Sequence, residues 1–297
     1  MDLSTFIQQL LNGISLGGLY ALIAIGYTMV YGILRLINFA HGDVFMLATY
    51  FAYYLVGIYM LPWWLGITLA VLLAALVGMS IDRVAYRPLR NAPRISALIT
   101  AVGVSFLLEN GGIVVLGARP KGFPRPEIMG KVYTLAGASI IGVSVWVPVL
   151  TLLILAALLF IVYRTKIGAA MRAVSTDMET TRLMGVDIDR VISFTFALGS
   201  ALAAAGGIMW AFKFPQINPL MGILPGWKAF TAAVVGGIGN IIGAMLGGLV
   251  IGIVEIMIVA FLPWLSGYKD AFVFIILIAF LLFKPTGFLG EPLKEKV

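Results

Sequence analysis

The chain has 297 residues, 61% of them apolar and only 11% charged, with a mean hydropathy of +1.06. A soluble domain is about one quarter charged, so a soluble enzyme or binding module is excluded, and what remains is an integral membrane protein built of apolar segments of about 20 residues. There is no cysteine and His41 is the only histidine, which excludes disulfides, cysteine-ligated metal and a histidine-rich metal site. The formal charge of +7 calls for no nucleic acid, because basic loops flank membrane spans.

The opening residues, MDLSTFIQQLLNG, carry no basic stretch, so no cleaved signal peptide is expected. Leu10–Leu34 reads as the first span, ended by Arg35. A polar interruption, Ile37-Asn38-Phe39-Ala40-His41-Gly42-Asp43, leads directly into a second apolar run, Val44–Leu61. Pro62 breaks the chain, and Trp63-Trp64 begins a third span as an interfacial aromatic pair, ending near Ile81. A loop with Arg83, Arg87, Arg90 and Arg94 precedes the fourth span, Ile95–Leu116. Gly117–Val145 reads as a loop, Trp146–Tyr163 as the fifth span and Val191–Phe212 as the sixth. Trp227–Trp264 is glycine-rich at its centre and is expected to hold two close-packed, partly broken helices. The last span, Ala271–Phe283, is expected to begin earlier, around Tyr268. Nine crossings result, in a single all-α membrane domain with no independent linker: a first half at about 10–163, a polar region at 164–190, a second half at about 191–283 and a polar tail at 284–297. With the amino terminus outside, thirteen of the twenty basic residues fall on the inner face, the arrangement that short basic loops favour.

An internal repeat fits this layout. Under a shift of 180 residues, Ala21, Leu22, Ala24, Gly26, Met29, Ile37, Asn38 and Gly42 fall on Ala201, Leu202, Ala204, Gly206, Met209, Ile217, Asn218 and Gly222. Five crossings separate the copies, an odd number, so the second copy runs inverted. Inverted repeats with glycine-interrupted helices at matching places place a transport pathway at the repeat interface.

The longest polar interval lies between two apolar segments, at Arg164–Arg190. Thr176 and Glu179 have capping-box spacing, Asp177 and Glu179 put negative charge at a helix amino terminus, and Gly185 reads as a carboxyl-terminal stop. A short helix, Asp177–Met184, is therefore expected on one membrane face. Its wording, Glu179-Thr180-Thr181 followed by Gly185, resembles the Glu-Ala-Ala-x-x-x-Gly loop by which ABC importer permeases dock on their ATPase. Thr-Thr stands here for Ala-Ala, and the downstream Ile-x-Leu-Pro of that loop is absent. The resemblance implies ATPase coupling for Thr176, Asp177, Glu179, Arg182 and Gly185.

Polar groups at membrane depth are costly and are candidates for a pathway. The set is Asn38, His41, Asp43, Glu109, Asn110, Asn218, Asn240 and Glu255, with Gly236, Gly237 and Gly239 as positions where backbone could line a cavity. For His41 and Asp43, beside Arg35, an interfacial structural cluster is the competing reading. For the glycines it is tight helix packing.

Four blocks, Tyr20–Gly32, Ile37–Gly42, Arg83–Pro88 and Lys228–Gly239, resemble the branched-chain amino-acid ABC importer permease of LivH type, and the resemblance covers nearly the whole chain. It implies an inner-membrane permease with no cofactor of its own. The implied partners are a second, related permease subunit, two cytoplasmic ATPases and a periplasmic protein that captures leucine, isoleucine or valine. The sequence contains no Gly-x-x-x-x-Gly-Lys-[Ser/Thr] phosphate loop, so energy is expected from a partner. Related permeases for urea or short amides, and an ion-coupled carrier using Glu109 and Glu255, are the alternatives. A membrane enzyme built on His41 and Asp43 lacks a nucleophile.

Overall fold

In the computed structural model, residues 3–90, 92–135 and 138–290 are described. α1 (Leu3–Leu34) is the longest helix, and its stretch from Leu16 to Val30 is buried on all sides. After a non-helical turn come α2 (His41–Ala52), which continues as a wider π-helical turn through Ile58, and α3 (Trp63–Ile81), drawn out by short turns through Leu89. α4 is Arg94–Leu116. The stretch expected to be a plain loop is folded: it holds β1 (Lys121–Gly122), α5 (Glu127–Gly130) and a hairpin of β2 (Val132–Leu135) with β3 (Ala138–Ile141), in which Tyr133 pairs with Ile140. α6 (Gly142–Arg164), α7 (Lys166–Thr176), α8 (Met178–Leu183) and α9 (Ile188–Lys213) follow. The chain ends with β4 (Gln216–Ile217), α10 (Ile223–Gly236), α11 (Ile241–Phe261) and α12 (Lys269–Phe283). The tail from 291 onward lies outside the described residues.

Among the described residues, seven helical stretches are long and apolar enough to cross a membrane. The other two expected segments are shorter. α2 with its π-turn occupies only 41–58 and α10 only 223–236, about 27 and 21 Å at 1.5 Å per residue. Both begin inside the protein. The His41 ring lies against Gly26 and the Ile23 carbonyl, well within α1, while Gly222 at the start of α10 touches Gly42 at the start of α2. The peptides before each helix therefore re-enter the fold from opposite ends.

The 180-residue shift carries the ranges of α1, α2 and α3 onto those of α9, α10 and α11. Packing obeys the same exchange: α1 lies on α10 and α11, and α9 lies on α2 and α3. Small residues permit the close crossings. Gly17 leaves α1 so near α11 that a β-carbon would lie 2.7 Å from the Leu249 Cα. A further link crosses the repeats outside the helices, where β1 pairs with β4 in the register Lys121↔Ile217.

Hydrogen bonds distinguish the two ends of the bundle. At one end Gln8 donates to the Ser139 carbonyl at 3.0 Å, and the Lys213 ammonium donates to Ser15 at 2.8 Å. At the other, basic end, Asp82 accepts from Arg90 at 2.8 Å and from Ser193 at 2.5 Å, and Asp189 bridges Arg87 and Arg90. This clamp ties α3 to the start of α9.

The Gly42–Gly222 contact gives a direct test. A β-carbon on Gly42 would stand 2.7 Å from the Gly222 carbonyl oxygen, backbone that cannot swing aside. Gly42→Ala is expected to cost about 1–3 kcal/mol, as overpacking does. In detergent it should lower the temperature at which the purified protein loses its monodisperse peak. Gly103→Ala, where nothing lies within 4 Å, is the control; equal behaviour of the two variants would show that the junction has slack.

Candidate functional site

The break at the start of α2 holds Asn38, His41 and Asp43, the break before α10 holds Asn218, and the two meet at Gly42 and Gly222. Asn38, 3% exposed, accepts a hydrogen bond from Tyr86 at 3.2 Å. His41, 1% exposed, has Nε2 at 3.2 Å from the Ile23 carbonyl and its ring 4.4 Å from that of Tyr27. A carbonyl only accepts, so Nε2 carries the proton. Asp43 lies in the first turn of α2, at the positive end of the helix dipole, and accepts from Ser105 of α4 at 2.6 Å. Asn218 is half-buried and folds back on its own loop, its Oδ1 accepting from the Leu220 amide at 2.9 Å. All three residues of the first break are buried inside the protein. The two asparagines sit at equivalent breaks but hold them differently, one through a tyrosine on another helix and one through its own turn.

The remaining pathway candidates lie elsewhere. Gly236, Gly237, Gly239 and Asn240 form the tight turn between α10 and α11 at the basic end. Gly237 and Gly239 have φ of 106° and 101°, which a side chain would strain. Asn240 caps α11 by accepting from Gly243 N at 2.9 Å, and donates to the Leu289 carbonyl at 2.9 Å. These residues have a folding role in the turn, at the far end of α10 from the Gly42–Gly222 junction. Glu109 is half-buried on α4, one turn beyond Ser105, with no hydrogen bond or ion pair among the described residues. A cavity of about 130 Å³ between Val56, Trp63, Phe123, Arg125 and Phe212 contains none of the expected residues.

At the basic end the polar region is a pair of helices. The predicted helix exists, but its cap differs. Asp177, not Thr176, occupies the cap, and its carboxylate accepts from the amides of Glu179 and Thr180 at 3.1 and 3.2 Å. Thr176 belongs to the last turn of α7, where its hydroxyl donates to the Arg172 carbonyl at 3.0 Å. An aspartate directly after the end of one helix offers a carboxylate to the next, which displaces the expected capping box. Gly185, at φ 82°, stops α8 as expected. α7 buries Met171 and Val174 and is fixed by Arg172 on the Val162 carbonyl. α8 buries only Thr181, while Leu183 and Met184 are 86% and 79% exposed beside Arg182.

Two features were not expected. One is the Asp82–Arg90–Asp189 clamp, for which the only sequence signal is a charge directly after a span. The other is Lys228 on α10, 5% exposed, whose ammonium lies 2.8 Å from Glu255 and 2.5 Å from Asp270. Tyr20 takes the other Glu255 oxygen at 2.8 Å. A lysine within an apolar run was the available signal. With both oxygens engaged, Glu255 is not a free partner for Glu109, and the relay that an ion-coupled carrier needs loses one member.

Residues 9–281 match the family model described as branched-chain amino acid transport system / permease component. The chain is 43% identical to the high-affinity branched-chain amino acid transport system permease protein LivH of Salmonella typhimurium and equally to that of Escherichia coli K12, over 98% of this chain and 98% of each relative. It is 41% identical to the corresponding permease protein BraD of Pseudomonas aeruginosa, again over 98% of both chains.

Proposed function

The chain belongs to the branched-chain amino acid transport permease family, whose members are membrane transport subunits and not enzymes, and on that premise we propose that it carries leucine, isoleucine and valine across a bacterial inner membrane. The observation that supports this best is the meeting of two shortened helices at Gly42 and Gly222, deep in an otherwise apolar bundle. Broken helices leave backbone amides and polar side chains at membrane depth, where the charged ends of a zwitterion need them, while apolar walls pass the aliphatic side chain. In this reading the amino terminus is periplasmic and the basic end cytoplasmic.

Energy comes from outside the chain. The partners are two cytoplasmic ATPases seated on α7–α8, a second related permease, and a periplasmic protein that delivers the substrate. The test is uptake by proteoliposomes containing the whole complex, with purified binding protein added. Leucine-loaded binding protein should stimulate both ATP hydrolysis and leucine entry. Stimulation by urea or a short amide, with all three branched-chain amino acids inert, would overturn the substrate. Uptake driven by an ion gradient without ATP would overturn the importer.

A further inference from the structure

Three tyrosines, Tyr50, Tyr53 and Tyr54, lie on one face of α2 and its π-turn at the end away from the basic face, spaced i, i+3 and i+4. Their rings pack edge to face, with centroids 6.5 Å apart for Tyr50–Tyr53 and 5.4 Å for Tyr53–Tyr54. The Lys121 ammonium stands among all three, 5.6, 5.6 and 5.3 Å from the centroids of Tyr50, Tyr53 and Tyr54, and donates to the Tyr54 hydroxyl at 3.2 Å. Lys121 has no carboxylate partner among the described residues. The Tyr50 hydroxyl is buried and has no hydrogen-bond partner among them either.

The place of this group matters. Lys121 is in β1, paired with Ile217, so it is tied to the segment that descends through Asn218 to the start of α10. Asp43 lies seven residues before Tyr50 on the same helical face, about 10 Å along the axis. That face meets α4, where Ser105 holds Asp43 and Gly112 approaches Met46. One face of α2 thus carries an aromatic cage at its outer end and a carboxylate at its inner end. Both are groups that attract a cation.

We propose that Tyr50, Tyr53 and Tyr54 form a site for a primary ammonium group, which Lys121 fills as a tethered stand-in and which the α-ammonium of an incoming amino acid takes over. This rests on the amino-acid import reading. Ring faces attract an ammonium through their quadrupole without binding it as tightly as a carboxylate would. A site built only of neutral rings therefore suits a cation that has to leave again. Lysine and an amino acid present the same –NH₃⁺ group, so the geometry that seats one seats the other. Lys121 keeps the cage closed to water between transport cycles, and its displacement frees the β1 strap over the Asn218 segment.

The test turns on the sign of two effects in the proteoliposome uptake assay. Lys121→Met removes a competitor and should lower the loaded-binding-protein concentration for half-maximal uptake by about threefold. Tyr54→Leu, and separately Tyr53→Leu, remove part of the site and should raise it by about threefold, with the Lys121→Met/Tyr54→Leu double variant following Tyr54→Leu. Equal signs, or no shift in either, would make the contact a simple latch and overturn the proposal. The amino-acid reading itself is decided by the unaltered complex. A second measurement is independent of it. The chain contains no cysteine, so Lys121→Cys introduces its single thiol. Modification of that introduced thiol by 2-aminoethyl methanethiosulfonate, followed by mass spectrometry, should be slowed by n-butylammonium chloride and not by n-butanol. Adding Tyr54→Leu should abolish the slowing. Equal rates with and without n-butylammonium would also overturn the site.

Discussion

Replacing Leu183 by aspartate is expected to cut binding-protein-stimulated uptake by roughly tenfold or more, while the subunit remains folded and inserted. Leu183 and Met184 are large apolar side chains almost fully in solvent at the tip of α8, next to the basic cluster and away from the bundle. Such a tip is an anchor waiting for a pocket, and losing a central apolar anchor from a protein–protein contact costs about 2 kcal/mol or more. Because neither side chain packs on its own subunit, the charge should not unfold it. Two variants act on the helix itself. Asp177→Ala removes the cap that holds the Glu179 and Thr180 amides, a loss of about 0.5–2 kcal/mol. Gly185→Val forces a β-branched residue to φ 82°. Both should weaken coupling, and Leu183→Asp should do so most. The readouts are ATPase co-purification and uptake in proteoliposomes. Normal values of both for Leu183→Asp would mean that α8 is a connector with an incidental apolar tip.

The elements that could be read in advance are those set by length and backbone chemistry. Apolar runs of about 20 residues name spans without any structure, and the turn at Gly237–Gly239 follows from adjacent glycines that alone adopt positive φ comfortably. The 180-residue repeat foretold that the breaks at Asn38 and Asn218 correspond, and the Gly42–Gly222 contact realises it. What could not be read is which face of each span is buried. A span that is apolar all round shows no helical stripe, so nothing in its pattern says that α1 is enclosed while α4 is largely bare. In sequence Glu109 lies mid-span and Asp43 near a segment end, yet Glu109 is half-buried with no hydrogen bond or ion pair among the described residues, while Asp43 is enclosed against Ser105. Depth misled at Asn240, because a capping asparagine at a turn and a pathway asparagine have the same neighbours in the chain. The choice between Thr176 and Asp177 was also beyond sequence. Both side chains can cap, and only the end of α7 decides which residue is still helical.

Lys228→Met is expected to be the most damaging single change to stability, by about 3–5 kcal/mol, the range for stripping one partner from a buried ion pair. Lys228 is the hub of a network that joins four helices: its ammonium reaches Glu255 on α11 and Asp270 on α12, and it lies 5.8 Å from the ring centre of Tyr20 on α1. Without it Glu255 keeps, among the described residues, the Tyr20 hydroxyl and a Lys269 ammonium 3.5 Å away, from a side chain 43% exposed. An almost enclosed carboxylate is then left short of charge in an apolar interior. Asp270, whose side chain is 36% exposed, can turn to water and should contribute less. The double variant Lys228→Met/Glu255→Met removes both charges and keeps the volume, and a buried pair exchanged for apolar side chains is often neutral in stability. It should therefore recover most of the loss, to within about 1 kcal/mol of the unaltered protein. Thermal loss of the monodisperse peak in detergent measures both. The comparison also separates two roles for α10. If the double variant is stable but fails to import leucine, the ion network guides the movement of the half-helix as well as holding it. If it is stable and imports normally, the charges serve assembly alone. If Lys228→Met is itself as stable as the unaltered protein, the network does not hold the second repeat together.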